Sequence, residues 1–254
     1  MQALAGKTGL VVGIANDDSI AWACAQAFRA QGARLAGTWR GERDAETVAP
    51  LLASLDADIA MAMDVNDDAQ VQALFDRIRQ AWGRLDFVLH SVAFAPRQDL
   101  HGRVVDSSRD GFLLAMDTSC HSFVRLARHA EPLMTQGGSL LTMSYLGGEE
   151  VVPNYGLMGP VKAALQACVR YLAAELGPSG IRVNAVSPGP IATRAAGGIA
   201  HFDALVADSE RRSPLPRPLA IDDVGPLCAF LASDGARAIT GTTQYVDNGF
   251  HILN

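Results

Sequence analysis

The sequence predicts an α/β fold, a single domain built on a doubly wound, seven-stranded parallel sheet of the Rossmann-like kind. Short apolar runs alternate with segments of helical periodicity along the 254 residues, and this alternation is typical of βαβ units sharing one parallel sheet. Most of the predicted strands are continuous apolar runs, as strands buried on both faces are. With 49% hydrophobic and 19% charged residues, the composition also favours one core-forming domain over residues 1–254.

Each predicted element is bounded by turn or capping residues. The strands are predicted at Thr8–Gly13, Arg34–Trp39, Ile59–Met63, Leu85–His90, Ser139–Tyr145, Arg182–Ser187 and Gln244–Val246. The helices are predicted at Ile20–Gln31, Glu42–Ser54, Asp68–Trp82, Arg109–Thr135, Pro160–Leu176 and Asp222–Ser233. Asp67 followed by Gln70 is typical of a helix start. Glycines just past four helices favour left-handed helix ends there, at Gly32, Gly83, Gly137 and Gly177.

Composition and charge exclude several classes of function. The net charge is −6, and no basic run occurs, so nucleic acid is not an expected partner. The longest uncharged stretch, Pro132 to Gly148, is too polar to cross a membrane. The first residues lack the pattern of a targeting signal, which predicts a cytoplasmic location.

Cysteine and histidine patterns indicate no metal site. The four cysteines are scattered without a Cys-x-x-Cys pair, so buried thiols are expected rather than a disulfide framework or a zinc site. The six histidines show no His-Glu-x-x-His pattern, and satisfied surface or core histidines are expected.

One long segment, roughly residues 188–218, interrupts the alternation of strands and helices. It is rich in Gly, Pro and Ala and holds one short predicted helix, Phe202–Ser209. Long loops inside compact domains are usually functional, so this segment is predicted to be a substrate-binding lid.

The turn after the first strand is the candidate phosphate site. Gly13 is followed by Ser19 and Ile20 at the start of a helix, and a helix N-terminus reached through a Gly turn can bind a pyrophosphate. The usual G-x-G-x-x-G is absent, and an ordinary βα turn is the alternative. Ser91 and Val92 follow the fourth strand, at the edge where doubly wound sheets bind ligands.

The second and third strands end in residues suited to an adenosine. No acidic residue follows the second strand at the place where it would accept the ribose 2′-hydroxyl of NAD; Arg40 lies there instead. Its guanidinium could bind the 2′-phosphate of NADP, or be an exposed strand-end arginine. Asp64, followed by Val65, could accept from the adenine amino group or support the next helix. NADH and NADPH both remain open.

A set of motifs resembles the enoyl-[acyl-carrier-protein] reductases, divergent members of the short-chain dehydrogenase/reductase superfamily. The pair Tyr155 and Lys162 has the six-residue spacing of these reductases, whereas mainstream members carry Tyr-x3-Lys. The likeness covers nearly the whole chain. It includes Ser144 to Gly148, Pro153 to Gly159, Phe94-Ala95-Pro96, Arg182 to Ala185, Gly189-Pro190-Ile191 and Val246 to Phe250.

The resemblance implies reduction of a trans-2-enoyl thioester in fatty-acid elongation, with the thioester carried by acyl-carrier protein or coenzyme A. Tyr155 would donate to the developing enolate oxygen, because preplaced donors act where charge forms. Lys162 would hold the nicotinamide ribose, and Tyr145 would be an auxiliary substrate-facing group. Residues seven apart on a helix share a face, but Pro160 is predicted to start the helix, with Tyr155 on the preceding loop.

Further site residues follow from family correspondence. The cofactor would be contacted by Ser19, Ile20, Val92, Ile191 and Thr193. The acyl pocket would be walled by Phe94, Ala95, Met158, Pro190, Ile199 and Phe202. The family also implies a homotetramer.

Four residues depart from the family pattern, Arg40, Trp22, Pro160 and Asn248. None is a reacting group, so they bear on cofactor preference and acyl length rather than on the reaction. Two alternatives remain. The chain could be a carbonyl or hydroxyl oxidoreductase of the wider superfamily, which the missing Tyr-x3-Lys disfavours, or an inactive dinucleotide-binding protein, which the retained tyrosines and lysine disfavour.

Overall fold

The computed structural model describes residues 2–193 and 196–253. Seven strands form one sheet in the order β3-β2-β1-β4-β5-β6-β7, and every neighbouring pair is parallel. This confirms the predicted doubly wound parallel sheet. The strands are β1 Thr8–Val12, β2 Arg34–Trp39, β3 Ile59–Ala62, β4 Phe87–His90, β5 Gly138–Met143, β6 Ile181–Pro188 and β7 Thr243–Val246.

Helices cover both faces of the sheet and enclose two hydrophobic cores. Successive strand residues point to opposite faces, so Leu10 and Val12 enter one core, with α3, α6 and α7, while Val11 enters the other, with α1 and α9. The helices are α1 Ile20–Ala30, α2 Glu42–Ser54, α3 Asp68–Trp82, α4 Arg97–Leu100, α5 Arg109–Met116, α6 Ser122–Ala130, α7 Met158–Leu176, α8 Phe202–Arg212 and α9 Val224–Ala232.

The segment predicted as one helix near Arg109–Thr135 is helical from Arg109 to Leu133 but is not one regular α-helix. The chain forms α5, a π-helical segment Asp117–His121 and α6, which ends at Ala130. The π-helical segment turns Thr118, Ser119 and Cys120 into the protein together. A wider turn of this kind keeps helical periodicity on either side, so apolar spacing alone does not reveal it.

Two further boundaries differ from the prediction. Helix α7 begins at Met158 rather than Pro160, and Tyr155 lies on the preceding loop, as predicted. Gly177 has a right-handed conformation with φ −55°, and the left-handed residue is Gly180. The chain between them forms one 3₁₀ turn containing Pro178, which has no N–H to donate. The prediction of a left-handed end at Gly177 was therefore wrong.

The start of α3 follows the predicted capping pattern. The Asp67 carboxylate accepts from the backbone N–H groups of Ala69 and Gln70 at 2.9 and 3.1 Å. The Gln70 side chain reaches back as expected, where it accepts from the N–H of Asp64 and donates to Asp67. These bonds hold the β3–α3 loop, which lies at the carboxyl edge of the sheet.

The predicted lid contains a longer helix than expected. Helix α8 runs from Phe202 to Arg212, one turn past the predicted end at Ser209. Arg194 and Ala195, which fall within the predicted lid, lie outside the described residues. Over residues 2–193 and 196–253, no helix is long and apolar enough to span a membrane, and no group of three His, Cys, Asp or Glu side chains could hold a metal ion.

Candidate active site at the carboxyl edge of the sheet

The carboxyl ends of all seven strands meet at one edge because the strands are parallel. From β1 the sheet grows outward through β2 to β3, whereas from the adjacent β4 it grows through β5 to β7. The connections after β1 and β4 therefore lie on opposite faces, which opens a crevice between the two strand ends. Doubly wound sheets bind their ligands at such a switch point.

The turn after β1 fits the phosphates of a dinucleotide. Gly13 has φ +107°, and a Cβ there would lie 2.1 Å from the Ser91 carbonyl oxygen, so glycine is needed for the turn to pack against β4. Ser19 caps α1 by accepting from the Trp22 N–H. The Asn16 side-chain oxygen is buried and has no hydrogen-bond partner among the described residues. Free N–H groups at this helix start suit an anion.

Arg40 and Asp64 lie at the ends of β2 and β3 and contact each other. The Arg40 Nε is 3.4 Å from an Asp64 carboxylate oxygen, and the Arg40 guanidinium lies 5.6 Å from the centre of the Phe94 ring. The other Asp64 oxygen accepts from the Asn66 N–H, while Asp67 caps α3. Arg40 therefore lies between Asp64, at the end of β3, and Phe94, which lines the cavity described next.

A cavity of about 390 Å³ occupies the crevice between the ends of β4, β5 and β6 and the segment predicted to be a lid. It is lined by both tyrosines and the lysine of the predicted catalytic set and by every residue predicted to wall the acyl pocket. The predicted residues that line it are Tyr145, Tyr155, Lys162, Phe94, Ala95, Met158, Pro190, Ile199, Phe202, Ile20, Ser91, Val92, Ile191 and Thr193.

Five predicted cofactor residues lie away from this cavity. Gly13, Ser19, Arg40, Asp64 and Val65 are absent from its lining and follow β1, β2 and β3, further along the same edge. An extended ligand would be needed to touch both groups, because the adenosine end and the central cavity lie at different strands of the sheet.

The rings of the two tyrosines pack against each other at a tilted angle in the lining of the cavity. Their ring centroids are 4.8 Å apart with 56° between the ring planes. Burial raises the pKa of both hydroxyls well above the usual range, with the Tyr145 ring adding to the effect at Tyr155. Both phenols are therefore protonated donors at neutral pH. The buried Tyr145 hydroxyl has no partner among the residues described.

Lys162 lies on the second turn of α7 with its ammonium group at the end of β5. Its Nζ donates to the Met143 carbonyl oxygen at 2.7 Å, and the side chain is only 5% exposed. Burial lowers its pKa to about 8, because a desolvated ammonium loses the hydration that stabilises its charge. A small change of environment can therefore change its charge near neutral pH.

Two glycines after β5 pack directly against this pair. A Cβ on Gly147 would lie 2.4 Å from Cδ1 of the Tyr155 ring, and a Cβ on Gly148 would lie 2.9 Å from the Lys162 carbonyl carbon. The missing side chains allow the Tyr155 ring and α7 to approach the β5 end. The Gly-Gly pair was visible in the sequence motif, but its packing role was not predicted.

A buried polar network beneath the cavity was also not predicted from the sequence. The His90 Nδ1 lies 2.9 Å from the Thr142 hydroxyl, and its Nε2 lies 2.8 Å from the Ser122 hydroxyl. Ser122 donates to the Thr118 carbonyl, so Nε2 carries the proton. Burial, with help from the Lys162 charge, lowers the pKa of His90 to about 3, and a neutral ring links β4, β5 and α6. A lone histidine at a strand end gave no signal of these partners.

The π-helical segment and α4 hold the outer wall of the cavity. The Ser119 hydroxyl accepts from the Phe94 N–H at 2.8 Å and donates to the Phe94 carbonyl at 3.0 Å. The His101 Nε2 lies 2.6 Å from the Gly198 carbonyl oxygen and ties α4 to the lid. Leu100 of α4 lines the cavity as well. The contacts made by Ser119, His101 and Leu100 could not be predicted from residue spacing in the sequence.

The departures from the family pattern have local explanations. Pro160 is the third residue of α7. A backbone N–H at this position has no acceptor within a helix, so its absence in proline costs no helical hydrogen bond. Gly159 before it has no Cβ to clash with the proline ring. Asn248 has φ +57°, a left-handed conformation that asparagine tolerates. Trp22 is buried in the core between α1 and its neighbours.

A glycine turn at a topological switch point, near a buried tyrosine and lysine, is the arrangement typical of nucleotide-dependent oxidoreductases with the short-chain dehydrogenase/reductase fold. A sequence model described as "Enoyl-(Acyl carrier protein) reductase" matches residues 13–251. The chain belongs to this enoyl-(acyl carrier protein) reductase family.

Named relatives resemble the chain over nearly its whole length. It is 46% identical over 249 residues to "Enoyl-[acyl-carrier-protein] reductase [NADH] 2" of Rhizobium meliloti, covering 98% of this chain and 93% of that protein. The Bacillus cereus enoyl-acyl carrier protein reductase with NADP+ and indole naphthyridinone has a TM-score of 0.97 at 46% identity, covering 100% of both chains. The Anaplasma phagocytophilum reductase in complex with NAD has a TM-score of 0.95 at 46% identity, covering 99% of this chain and 96% of that one.

Replacing Gly147 tests the packing of the Tyr155 ring. We expect Gly147→Ala to displace the ring and to lower the turnover of reduced nicotinamide, followed by absorbance, on the order of 100-fold, the effect of a misplacement of about 1 Å. Gly177→Ala is the matched control, because no heavy atom lies within 4 Å of a Cβ built there and its φ is ordinary. Full activity in Gly147→Ala would contradict the packing argument.

The depressed pKa of Lys162 predicts a specific pH dependence of stability. Between about pH 8 and 10.5 the unfolded chain holds the lysine proton and the folded chain releases it, so folding becomes more favourable as pH rises through this window. Relative to Lys162→Met, we expect the wild-type free energy of unfolding to increase with pH by up to about 3 kcal/mol. Urea unfolding below and above this window measures it, and parallel pH profiles in the two proteins would show that the pKa is normal.

Proposed function

We propose that this protein reduces the trans-2 double bond of an enoyl thioester with NADH or NADPH in fatty-acid elongation. The observation that carries the proposal is the placement of Tyr155 and Lys162, at the family's six-residue spacing, on one apolar cavity at the switch point of the sheet. The names of the relatives support the same reaction.

Tyr155 stabilises the charge that develops on the substrate. A nicotinamide bound here would supply a hydride for the β-carbon of the enoyl group, and Tyr155 would face the negative charge that then develops on the thioester oxygen. Burial keeps the Tyr155 hydroxyl protonated, so it is available as a hydrogen-bond donor before the charge forms. A donor that is already oriented needs no reorganisation during the reaction and stabilises the transition state more than the ground state.

Lys162 and Tyr145 support this donor. The Lys162 ammonium, held at the Met143 carbonyl, would donate to the ribose hydroxyls of a bound nicotinamide, and its positive charge favours anionic character nearby. The Tyr145 hydroxyl is buried and has no partner among the described residues, so it can donate to the substrate without breaking an existing bond. It therefore acts as the second group that faces the thioester.

The walls of the cavity suit a fatty acyl chain. They are mainly aliphatic and aromatic, and the lid residues Ile199 and Phe202 face Ala95 and Met158 across the cavity. Apolar walls with few polar groups bind an apolar ligand and exclude water. The thioester is carried by acyl-carrier protein, as the names of the relatives indicate, and a coenzyme A thioester presents the same reacting group.

Both reduced nicotinamide dinucleotides fit the adenosine end, and Arg40 sets the preference. A 2′-phosphate would accept from the Arg40 guanidinium, but Asp64 competes for the same group at 3.4 Å. The Bacillus cereus relative holds NADP+ and the Anaplasma relative holds NAD. Because Asp64 competes for the Arg40 guanidinium, the preference for NADPH over NADH is modest.

The family resemblance leads us to propose a homotetramer, and exposed apolar side chains favour association between chains. Large apolar residues on two helices and at the C-terminal end are exposed, and exposed apolar surface can mark an interface between protein chains. These residues are Leu113 and Leu114 on α5, Phe230 on α9, and Ile252 and Leu253. Light scattering at several concentrations checks the assembly, and a persistent monomer would contradict it. The cytoplasmic location stays a prediction.

An enoyl-thioester assay tests the proposed reaction. We expect oxidation of reduced nicotinamide to depend on a short trans-2-enoyl thioester and to fall at least about 100-fold in Tyr155→Phe, which removes the hydroxyl donor. Tyr171→Phe is the matched control, since Tyr171 is on the exposed face of α7. Absence of turnover in protein that binds dinucleotide, or turnover of a β-ketoacyl thioester instead, would overturn the assignment.

The same assay measures the role of Arg40. We expect Arg40→Gln to lower kcat/KM with NADPH by roughly tenfold, the effect of a lost charge-assisted hydrogen bond to phosphate, and to change the NADH reaction little. Arg43→Gln, three residues on, controls for the loss of one positive charge. An equal decrease with both cofactors would assign Arg40 to general dinucleotide binding.

A further inference from the structure

Cys120 and Cys168 bring their sulfur atoms together beside the active site. The two Sγ atoms are 3.7 Å apart, although 48 residues separate them in the chain. Cys120 is on the π-helical segment, and Cys168 is on α7, six residues after Lys162. Both are free thiols. The distance is short enough for a disulfide to form after a small movement of the two segments toward each other.

The two thiols differ in exposure and in pKa. Cys120 is buried, whereas Cys168 is partly exposed. Burial and the hydrogen bond to Cys168 raise the pKa of Cys120, and the same bond lowers the pKa of Cys168 to about 7. The more accessible sulfur is therefore the one that is partly thiolate at neutral pH, and the thiolate is the nucleophile in thiol oxidation.

The elements that carry these thiols also form the active site. Ser119, next to Cys120, holds the backbone of Phe94 by two hydrogen bonds, and Phe94 lines the central cavity. Cys168 shares α7 with Lys162, and the charge of Lys162 acts on the Cys120 thiol. A bond between the two sulfurs would join the wall of the cavity to the helix that carries the lysine.

We propose that Cys120 and Cys168 are a modification site that forms a reversible disulfide in response to a hydroperoxide. The Cys168 thiolate attacks the terminal oxygen of the hydroperoxide and forms an S–O bond as the O–O bond breaks. The other oxygen leaves as an alkoxide or hydroxide and takes up a proton. Cys168 becomes a sulfenic acid. The Cys120 sulfur then displaces the hydroxyl as water and loses its proton. Overall, two thiols lose two electrons and two protons, and the hydroperoxide is reduced to water and an alcohol, or to two waters.

The disulfide changes the geometry of the cavity. The sulfurs must approach from 3.7 Å to about 2.05 Å, which draws the π-helical segment toward α7. Ser119 moves with Cys120 and displaces the Phe94 wall. Because active sites lose activity on a misplacement of about 1 Å, we expect turnover to fall on the order of tenfold or more and to recover on reduction.

Peptide mapping tests the bond without any assumption about the reaction catalysed. The full-length protein is treated with hydrogen peroxide, alkylated, digested without reductant and analysed by mass spectrometry. We expect one linked peptide pair containing Cys120 and Cys168, lighter by two hydrogen atoms than the separate peptides and released by a phosphine reductant. Cys24 and Cys228 also neighbour each other but are both fully buried. They are the internal control for burial: we expect them to stay reduced under peroxide and to be alkylated only after the protein is unfolded.

Cys168→Ser is the matched variant, since it removes the attacking sulfur and leaves Cys120 in place. In this variant peroxide should produce no linked peptide and no reversible loss of turnover. Two free thiols in the treated wild type, or oxidation of Cys168 to sulfinic acid without the link, would overturn the proposal. A link that forms while turnover stays unchanged would overturn its effect on the cavity. A protein that forms the link but lacks enoyl reductase activity would instead count against the proposed function alone.

Discussion

The parallel alignment of seven strands is the constraint on which the site depends. A parallel sheet is covered on both faces, so side chains along its inner strands point alternately into one of two cores, and a slip of one residue would exchange them. The observed register places Val12 beside His90, and His90 beside Thr142. Every strand therefore ends at the same edge, and the loops that follow β1, β4, β5 and β6 meet at one cavity.

Burial then gives the two central side chains opposite properties. A phenol taken out of water keeps its proton, while an ammonium taken out of water gives it up more easily. Tyr155 thereby keeps the proton that it can donate, and the pKa of Lys162 is lowered to about 8. The glycine pair after β5 allows this burial, since any side chain at Gly147 or Gly148 would occupy the space of the ring and the helix.

Polar contacts beneath and beside the cavity hold these groups in place. The neutral His90 ring bridges β4 to β5 and α6 through two hydroxyl groups, and Ser119 holds the Phe94 loop. Buried polar groups of this kind are stabilising because each one is paired, and each would be costly if one partner were removed. Catalytic geometry therefore depends on residues that have no chemical role in the reaction.

The sequence by itself determined the parallel sheet and the glycine turn at Gly13, which depend on local periodicity, and the tyrosine and lysine of the cavity, which belong to a short motif. The π-helical segment was not predicted, since the residues on either side of it keep helical spacing. Only the tertiary structure decided that Arg40 contacts Asp64 and Phe94, that the rings of Tyr145 and Tyr155 pack together at a tilted angle, and that two cysteines 48 residues apart touch. Such contacts join residues far apart in the chain, and they exist only once the helices have packed on the sheet.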